Sequence, residues 1–206
     1  KYMCGIAGII HRGKTVDIGT EMQGMLQALK HRGPDSTGYA LYGEGSKGDY
    51  ILRFKVGENV KEGSSAANEE NAVYEERRKK VDSYIRELGA DILQDQQLTP
   101  YSFRYVIKYN KDLMEFSKKI ESVEMTEILS LGKTLELVKD IGDASTVSKQ
   151  YDLDKIKGTH AIGHSRMATE SGVDIRSAHP FWGYPFSDVS VVHNGQLTNY
   201  WNNRRA

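Results

Sequence analysis

Cys4 is the single cysteine of the chain, and it stands in Met3-Cys4-Gly5-Ile6 at the start of the sequence. A thiol can attack an amide carbon once a base has taken its proton. A lone cysteine is more often an inert, buried small hydrophobe. If Met3 is the biological start, or a leader is cut after it, Cys4 carries a free α-amine. Such an amine titrates near about 7.7 to 8 and can accept the thiol proton, so nucleophile and base share one residue. No catalytic histidine is then required. Attack on an amide also builds a tetrahedral oxyanion, which needs fixed donors. Asn194-Gly195, behind the apolar run that starts at Asp188, offers a side-chain amide and a backbone N–H. An Asn-Gly pair by itself usually marks only a turn. Arg166, ending another apolar run, has the planar fork that grips a carboxylate at both oxygens. A strand-end arginine alone is usually a surface ion pair, and Arg32 in HRGPDSTG (residues 31–38) is ambiguous in the same way.

These groups need elements to hold them. CGIAGII, residues 4–10, reads as a buried strand. Met22, Met25, Leu26 and Leu29 fall on one helical face, with Thr20 available as a cap. Gly33-Pro34 and Gly38 mark a loop after that helix. YALYG and DYILRFKV then read as two strands joined by a glycine-rich turn. Within that turn, Gly43 to Gly48 satisfies GxGxxG, but a strand pattern follows where a dinucleotide site needs a helix, so a hairpin turn is expected instead. From about residue 57 to 155 the character shifts to an insertion or accessory layer. It opens with a charged helix at about 69–88, where Glu75–Lys79 and Glu76–Lys80 are i,i+4 pairs and Arg77 to Lys80 read as a solvated face. A strand at 103–109 and helices near 111–120 and 126–139 follow. Strand signals return at 159–167 and 188–195, and a last helix begins at Leu197.

Composition sets the outer bounds. The 206 residues suffice for one substantial core, and 27% of them are charged. The 28 basic and 28 acidic residues cancel, which removes the electrostatic argument for nucleic acid or an anionic membrane. No apolar run approaches membrane-spanning length, and Lys1-Tyr2-Met3 does not open a secretory signal. One cysteine excludes a disulfide framework and a multi-cysteine metal site. The expectation is a cytoplasmic protein with no metal and no cofactor.

MCGIAG, HRGPDSTG, GHSRMATES, SAHPF and VVHNG, in that order, resemble the class II glutamine amidotransferases, members of the N-terminal nucleophile hydrolases. The match covers residues 3–43 and 159–200. Within the class, GHSRMATES followed by SAHPF and HNGQLTN looks most similar to the glutaminase domain of glutamate synthase and its stand-alone relatives. Glu170 stands where the sugar-phosphate amidotransferases carry histidine. The resemblance implies an α+β fold, a four-layer αββα sandwich, as one domain over 4–206 interrupted by the insertion at about 57–155. It implies glutamine as substrate and Cys4 as the nucleophile. Asn194 and Gly195 would form the oxyanion hole, and Arg166 would bind the substrate carboxylate with Thr169 nearby. Arg32 to Asp35 would shape the site, and His164, His179 and His193 would be structural. Residues 1–3 are expected to be a leader or an expression remnant. The family continues past HNG to an acid that binds the substrate amine, whereas this sequence ends eleven residues after Gly195, so a truncated C-terminal end is expected.

The resulting expectation is a glutaminase that forms a Cys4 thioester and passes ammonia to a separate glutamate-synthase-like subunit. No synthase domain, flavin site or iron–sulfur cysteines accompany it. The alternatives are a catalytically inactive glutamine-binding or assembly subunit of the same fold, and an amidohydrolase acting on a different amide. Homo- or hetero-oligomerisation is left open.

Overall fold

The computed structural model describes residues 4–32, 35–46, 49–58, 67–166 and 178–194. In chain order its elements are β1 (Gly5–Ile10), α1 (Ile18–Ala28), β2 (Ser36–Gly43), β3 (Tyr50–Lys55), α2 (Ala67–Glu87), β4 (Asp91–Thr99), β5 (Ser102–Lys108) and α3 (Leu113–Glu121). Then come β6 (Glu127–Gly132), β7 (Leu135–Ile141), α4 (Ala144–Gln150), β8 (Gly158–Arg166), β9 (Phe181–Trp182) and β10 (Ser190–Val191). The class is α+β, with antiparallel sheets ordered β1-β8-β2-β7 and β4-β5-β3-β6 and a short β10-β9 pair.

The first sheet takes its helices on one face. Ile18, Met22 and Leu26 recur every four residues along α1 and are fully buried with Ala7, Tyr39, Val138, Val147 and Ala161. Gly163 makes this close packing possible, because a Cβ there would lie 2.7 Å from Leu26 Cδ1. The helix begins at Ile18 behind Asp17, so the expected cap Thr20 lies inside the first turn. Nor is β1 buried on both faces. It is an edge strand whose Ala7 meets α1 while Ile6 and Ile10 are 41% and 68% exposed on the other side.

The second sheet packs α2 and α3 through Tyr74, Val81, Ile85, Phe116 and Ile120 onto Leu52, Phe54, Phe103, Tyr105 and Ile107. The basic run on α2 is less solvated than expected. Arg77 donates to the Val56 carbonyl, and Arg78 bonds the Tyr105 hydroxyl and Asp95 while covering the Phe103 ring. Glu75 lies 3.6 Å from Arg78, one residue short of its expected partner.

Two expected connections differ. The segment at 126–139 is two strands, not a helix, because its apolar residues alternate: Leu129 and Leu131 in β6, then Leu135 and Leu137 in β7, which join the second and the first sheet on either side of Lys133-Thr134. YALYG and DYILRFKV are both strands, but β2 joins the first sheet and β3 the second, so the glycine-rich link crosses between sheets and is no hairpin turn. The predicted helix at Leu197 lies outside the described residues.

The sheets meet through charge. Arg53 on β3 and Arg104 on β5 both bond Glu136 of β7, and Lys55 approaches Asp140 to 3.1 Å. Tyr101 and Tyr151 donate to that same Asp140. A smaller apolar group, Ala40, Leu129, Leu135 and Leu137, lies alongside.

Candidate active site

Side chains alternate across a strand, so the register of the first sheet sorts its residues into rows. Ile6 pairs with His164, and His164 with Gly38. One row further along, Arg166 pairs with Ser36, and the β1 register continued by one residue places Cys4 opposite Arg166. Three of the motifs read from sequence therefore arrive at one end of one sheet. Asp35 extends β2 there by its backbone, donating to Arg166 and accepting from Gly142. Arg32 closes a 3-10 turn just before, half-buried, its N–H bonded to Leu29.

The fourth and fifth motifs lie in a strap, residues 178–194, that crosses this sheet. Gly38 lets it pass, since a Cβ there would sit 1.9 Å from the His179 carbonyl oxygen. The strap is fastened at mid-length by Asp188, whose carboxylate accepts from Lys133 N, Thr134 N, Thr134 Oγ1 and Leu135 N at 2.7–3.1 Å. Tyr42 and Ser190 add a hydroxyl pair at 2.8 Å. Six residues after Asp188, Asn194 reaches back to β1 and donates Nδ2 to the Cys4 carbonyl at 2.9 Å. Cys4 itself is a half-buried free thiol.

Three imidazoles lie near one another here, His164 on β8 and His179 and His193 on the strap. The His164 ring lies 4.9 Å from that of His179, which lies 6.4 Å from that of His193. Burial, then the neighbouring His179 and Arg166, push His164 down to about 4. Burial, then His193 and the cations Lys139 and Arg166, do the same to His179, also to about 4. Both rings are neutral near pH 7. Lys139 is itself 2% exposed, paired with Glu127 at 2.8 Å and lying 4.8 Å over the Phe181 ring.

Of the residues singled out from sequence, Cys4, Arg166, Asp35 and Asn194 thus converge, with Arg32 in the adjoining turn. Thr169 and Gly195 lie outside the described residues. The sequence reading passed over two residues. Ser36, in HRGPDSTG, is 1% exposed in the row of Arg166, and its hydroxyl has no hydrogen-bond partner among the described residues. Asp188 holds the strap. A period-2 reading of β2 would have shown that Ser36 shares a face with Gly38; nothing local distinguished Asp188 from an ordinary turn residue. Among the described residues no cluster of His, Cys, Asp and Glu could hold a metal, and no helix is long and apolar enough to cross a membrane.

The chain is 37% identical over 204 residues to a putative glutamine amidotransferase of Methanothermobacter thermautotrophicus, covering 97% of this chain and 63% of that protein. Partial likenesses, such as 38% over 73 residues to amidophosphoribosyltransferase 2 of Arabidopsis thaliana (35% of this chain, 13% of that one), point to the same type of domain. The chain belongs to the class II glutamine amidotransferase family. Another member-like relative is the glutamine amidotransferase-like protein GlxB of Rhizobium meliloti, 28% identical over 214 residues, covering 98% of this chain and 62% of GlxB. The chain therefore spans somewhat over three fifths of the length of these two relatives. No family model matches it.

Proposed function

We propose that this domain hydrolyses the side-chain amide of glutamine through a Cys4 thioester and delivers the ammonia to a synthase subunit of the glutamate-synthase kind. The observation that carries this reading is the 2.9 Å bond from Asn194 Nδ2 to the Cys4 carbonyl, which sets a side-chain amide donor beside the thiol. When Cys4 is the first residue, its α-amine takes the thiol proton as Sγ attacks the carboxamide carbon. The C=O electrons become an oxyanion, met by the second Asn194 N–H and the Gly195 backbone N–H. Collapse breaks the C–N bond, and the departing nitrogen takes the proton from the amine and leaves as ammonia. Water then splits the thioester to glutamate and free thiol. Arg166, one strand from Cys4, holds the substrate α-carboxylate with Thr169 beside it, and Arg32 to Asp35 wall the pocket. We read Lys1 to Met3 as removed in the working form.

We also read the architecture as the αββα sandwich of N-terminal nucleophile hydrolases. In support, α1 and α4 cover one face of the first sheet, while the face bearing Cys4, Ile6 and Ile10 is the one a second layer would need. The sheet of β3 to β6 with α2 and α3 is then largely the insertion at about 57–155, lending β7 to the first sheet.

The test is the protein with Cys4 at its N-terminus, given glutamine under single-turnover conditions and quenched for intact mass. A transient adduct of a glutamyl group on Cys4, with ammonia and glutamate released in equal amounts, is expected. Full turnover by Cys4→Ala would end this reading.

A further inference from the structure

A cavity of about 170 Å3 lies between the start of the strap, the end of α3 and the strands β6 and β7. Cys4, Arg166 and Asn194 do not line it. Leu129 and Lys139, both buried, form its floor, whereas Glu121 and Tyr184 at its mouth are exposed. Trp182 and Tyr184 wall it as a corner, their rings 5.5 Å apart and inclined at 83°. A cavity of about 150 Å3 holds a benzene ring, so this one suits an occupant of about five or six heavy atoms.

Charge selects the kind of occupant. Lys139 is paired with Glu127 at 2.8 Å, and those two charges cancel. Of the charged groups in the lining, Glu121 is left over. Its Oε1 accepts the Ile128 N–H at 3.0 Å. It also ends α3, where the helix carbonyls already make the field negative, the unfavourable end for a carboxylate. Burial raises its carboxyl above the ordinary range, the Ile128 N–H opposes that rise, and Glu127 adds to it. A cation at the mouth would relieve each of these costs. The aromatic walls favour the same sign, because ring faces attract cations. Lys139 Nζ already rests 4.8 Å over the Phe181 ring at this wall.

We propose that this cavity binds a small alkylammonium ion, its stem over Leu129 and Trp182 and its ammonium held at the mouth by Glu121 beside the Tyr184 ring. The site stands apart from the glutaminase reading, since its test reads binding alone. A free amine and a lysine side chain present the same head and stem.

Trp201→Phe leaves Trp182 as the one tryptophan of the intact chain, so fluorescence reports on the wall. At about pH 8, where an alkylamine is charged, n-butylammonium chloride should change that signal saturably, with Kd on the order of millimolar. Sodium chloride at equal ionic strength should not, and n-butanol, the same stem without the charge, should bind at least about 10-fold more weakly. In the same background, E121Q keeps an oxygen for the Ile128 N–H and should weaken n-butylammonium about 10-fold or more. Tyr184→Leu should weaken it about 2- to 5-fold. E124Q, at an 86% exposed carboxylate outside the cavity, should leave it unchanged. Nα-acetyl-lysine amide separates the sources: if it binds equally well, the site admits a partner's lysine, and if it is refused, the site takes free amines. Equal binding of n-butanol, E121Q binding as tightly as its parent, or no saturation far above the millimolar range overturns the proposal. Should E121Q fail to fold, Tyr184→Leu and the n-butanol comparison decide.

Discussion

The side-chain amide of Asn194 donates to the main-chain carbonyl of Cys4 at 2.9 Å, across 190 residues of sequence. A primary amide carries two N–H groups, so this bond occupies one and orients the other. The contact also ties the end of the strap to the edge strand β1, which has a pairing partner on one side only. One interaction thus joins the backbone of the proposed nucleophile to the donor expected to meet the oxyanion.

Asn194→Ala removes that donor and that tie together. With glutamine as substrate, kcat should fall by about 10²- to 10³-fold, the usual cost of one oxyanion-hole donor. Because the ground-state carbonyl needs the donor less than the oxyanion does, KM should change far less. Steady-state kinetics on the intact protein, with ammonia as the readout, checks this; a loss that falls entirely on KM would contradict it.

How much of this was legible in the sequence differs from residue to residue. Cys4, Arg166 and Asn194 were found because each ends or begins an apolar run, and strand ends are where a sheet presents chemistry. The two strands at 126–139 were misread as a helix because the segment is rich in leucine throughout, and the period-2 alternation of Leu129 with Leu131 and of Leu135 with Leu137 was overlooked. The separation of β2 and β3 into two sheets was invisible, since local pattern says nothing about which partner a strand finds. Asp188 was missed for the same reason. Its ligands, Lys133 to Leu135, are more than fifty residues away and make sense only once the turn between β6 and β7 exists.

Asp188→Ala should loosen the whole strap. Burial works against its charge, but the N–H groups of Thr134, Leu135 and Lys133 hold the carboxyl below the ordinary carboxylate range. Removing it leaves those donors without their acceptor, at a cost of about 1 to 3 kcal/mol. Hydrogen exchange should accelerate at Thr134 and Leu135, and glutamine turnover should drop because Asn194 lies further along the same strap. Asp188→Asn should be milder. An amide oxygen in the place of Oδ1 keeps three of the four bonds, and only the longer contact to Lys133 N becomes donor against donor.

Acid should weaken the fold through the imidazoles beneath the strap. His164 and His179 are both depressed to about 4 from the ordinary 6.5. The unfolded chain therefore takes up their protons first as pH falls. Their contribution is complete above about pH 6.5, declines between there and about 4, and changes no further below. For His164 the amount is on the order of 3 kcal/mol. Urea midpoints measured from pH 7 to 4 should fall accordingly, and H164N should flatten the slope. A wild type as stable at pH 4.5 as at pH 7 would contradict the assignment.

Glu136 tests what holds the two sheets together. Burial raises its pKa, but Arg53 and Arg104 more than offset this and bring it to about 2. Its Oε2 receives Arg53 at 2.7 and 2.8 Å and Arg104 at 2.7 Å. Arg53 is 3% exposed, and its Nη1 has no hydrogen-bond partner among the described residues, so it already sits near the limit of what the site can solvate. Glu136→Ala strands that guanidinium in the interior and should cost about 3 to 5 kcal/mol in urea unfolding. The double variant Arg53→Leu with Glu136→Leu should recover part or all of the loss, because a buried pair replaced by apolar packing is often neutral. Arg104, partly exposed, can turn to water in that background. If the double variant is as unstable as Glu136→Ala alone, the damage comes from lost packing at β7 and not from the stranded charge. Hydrogen exchange along β2, which pairs with β7 and carries Ser36 and Gly38, would then register the same loss at the candidate site.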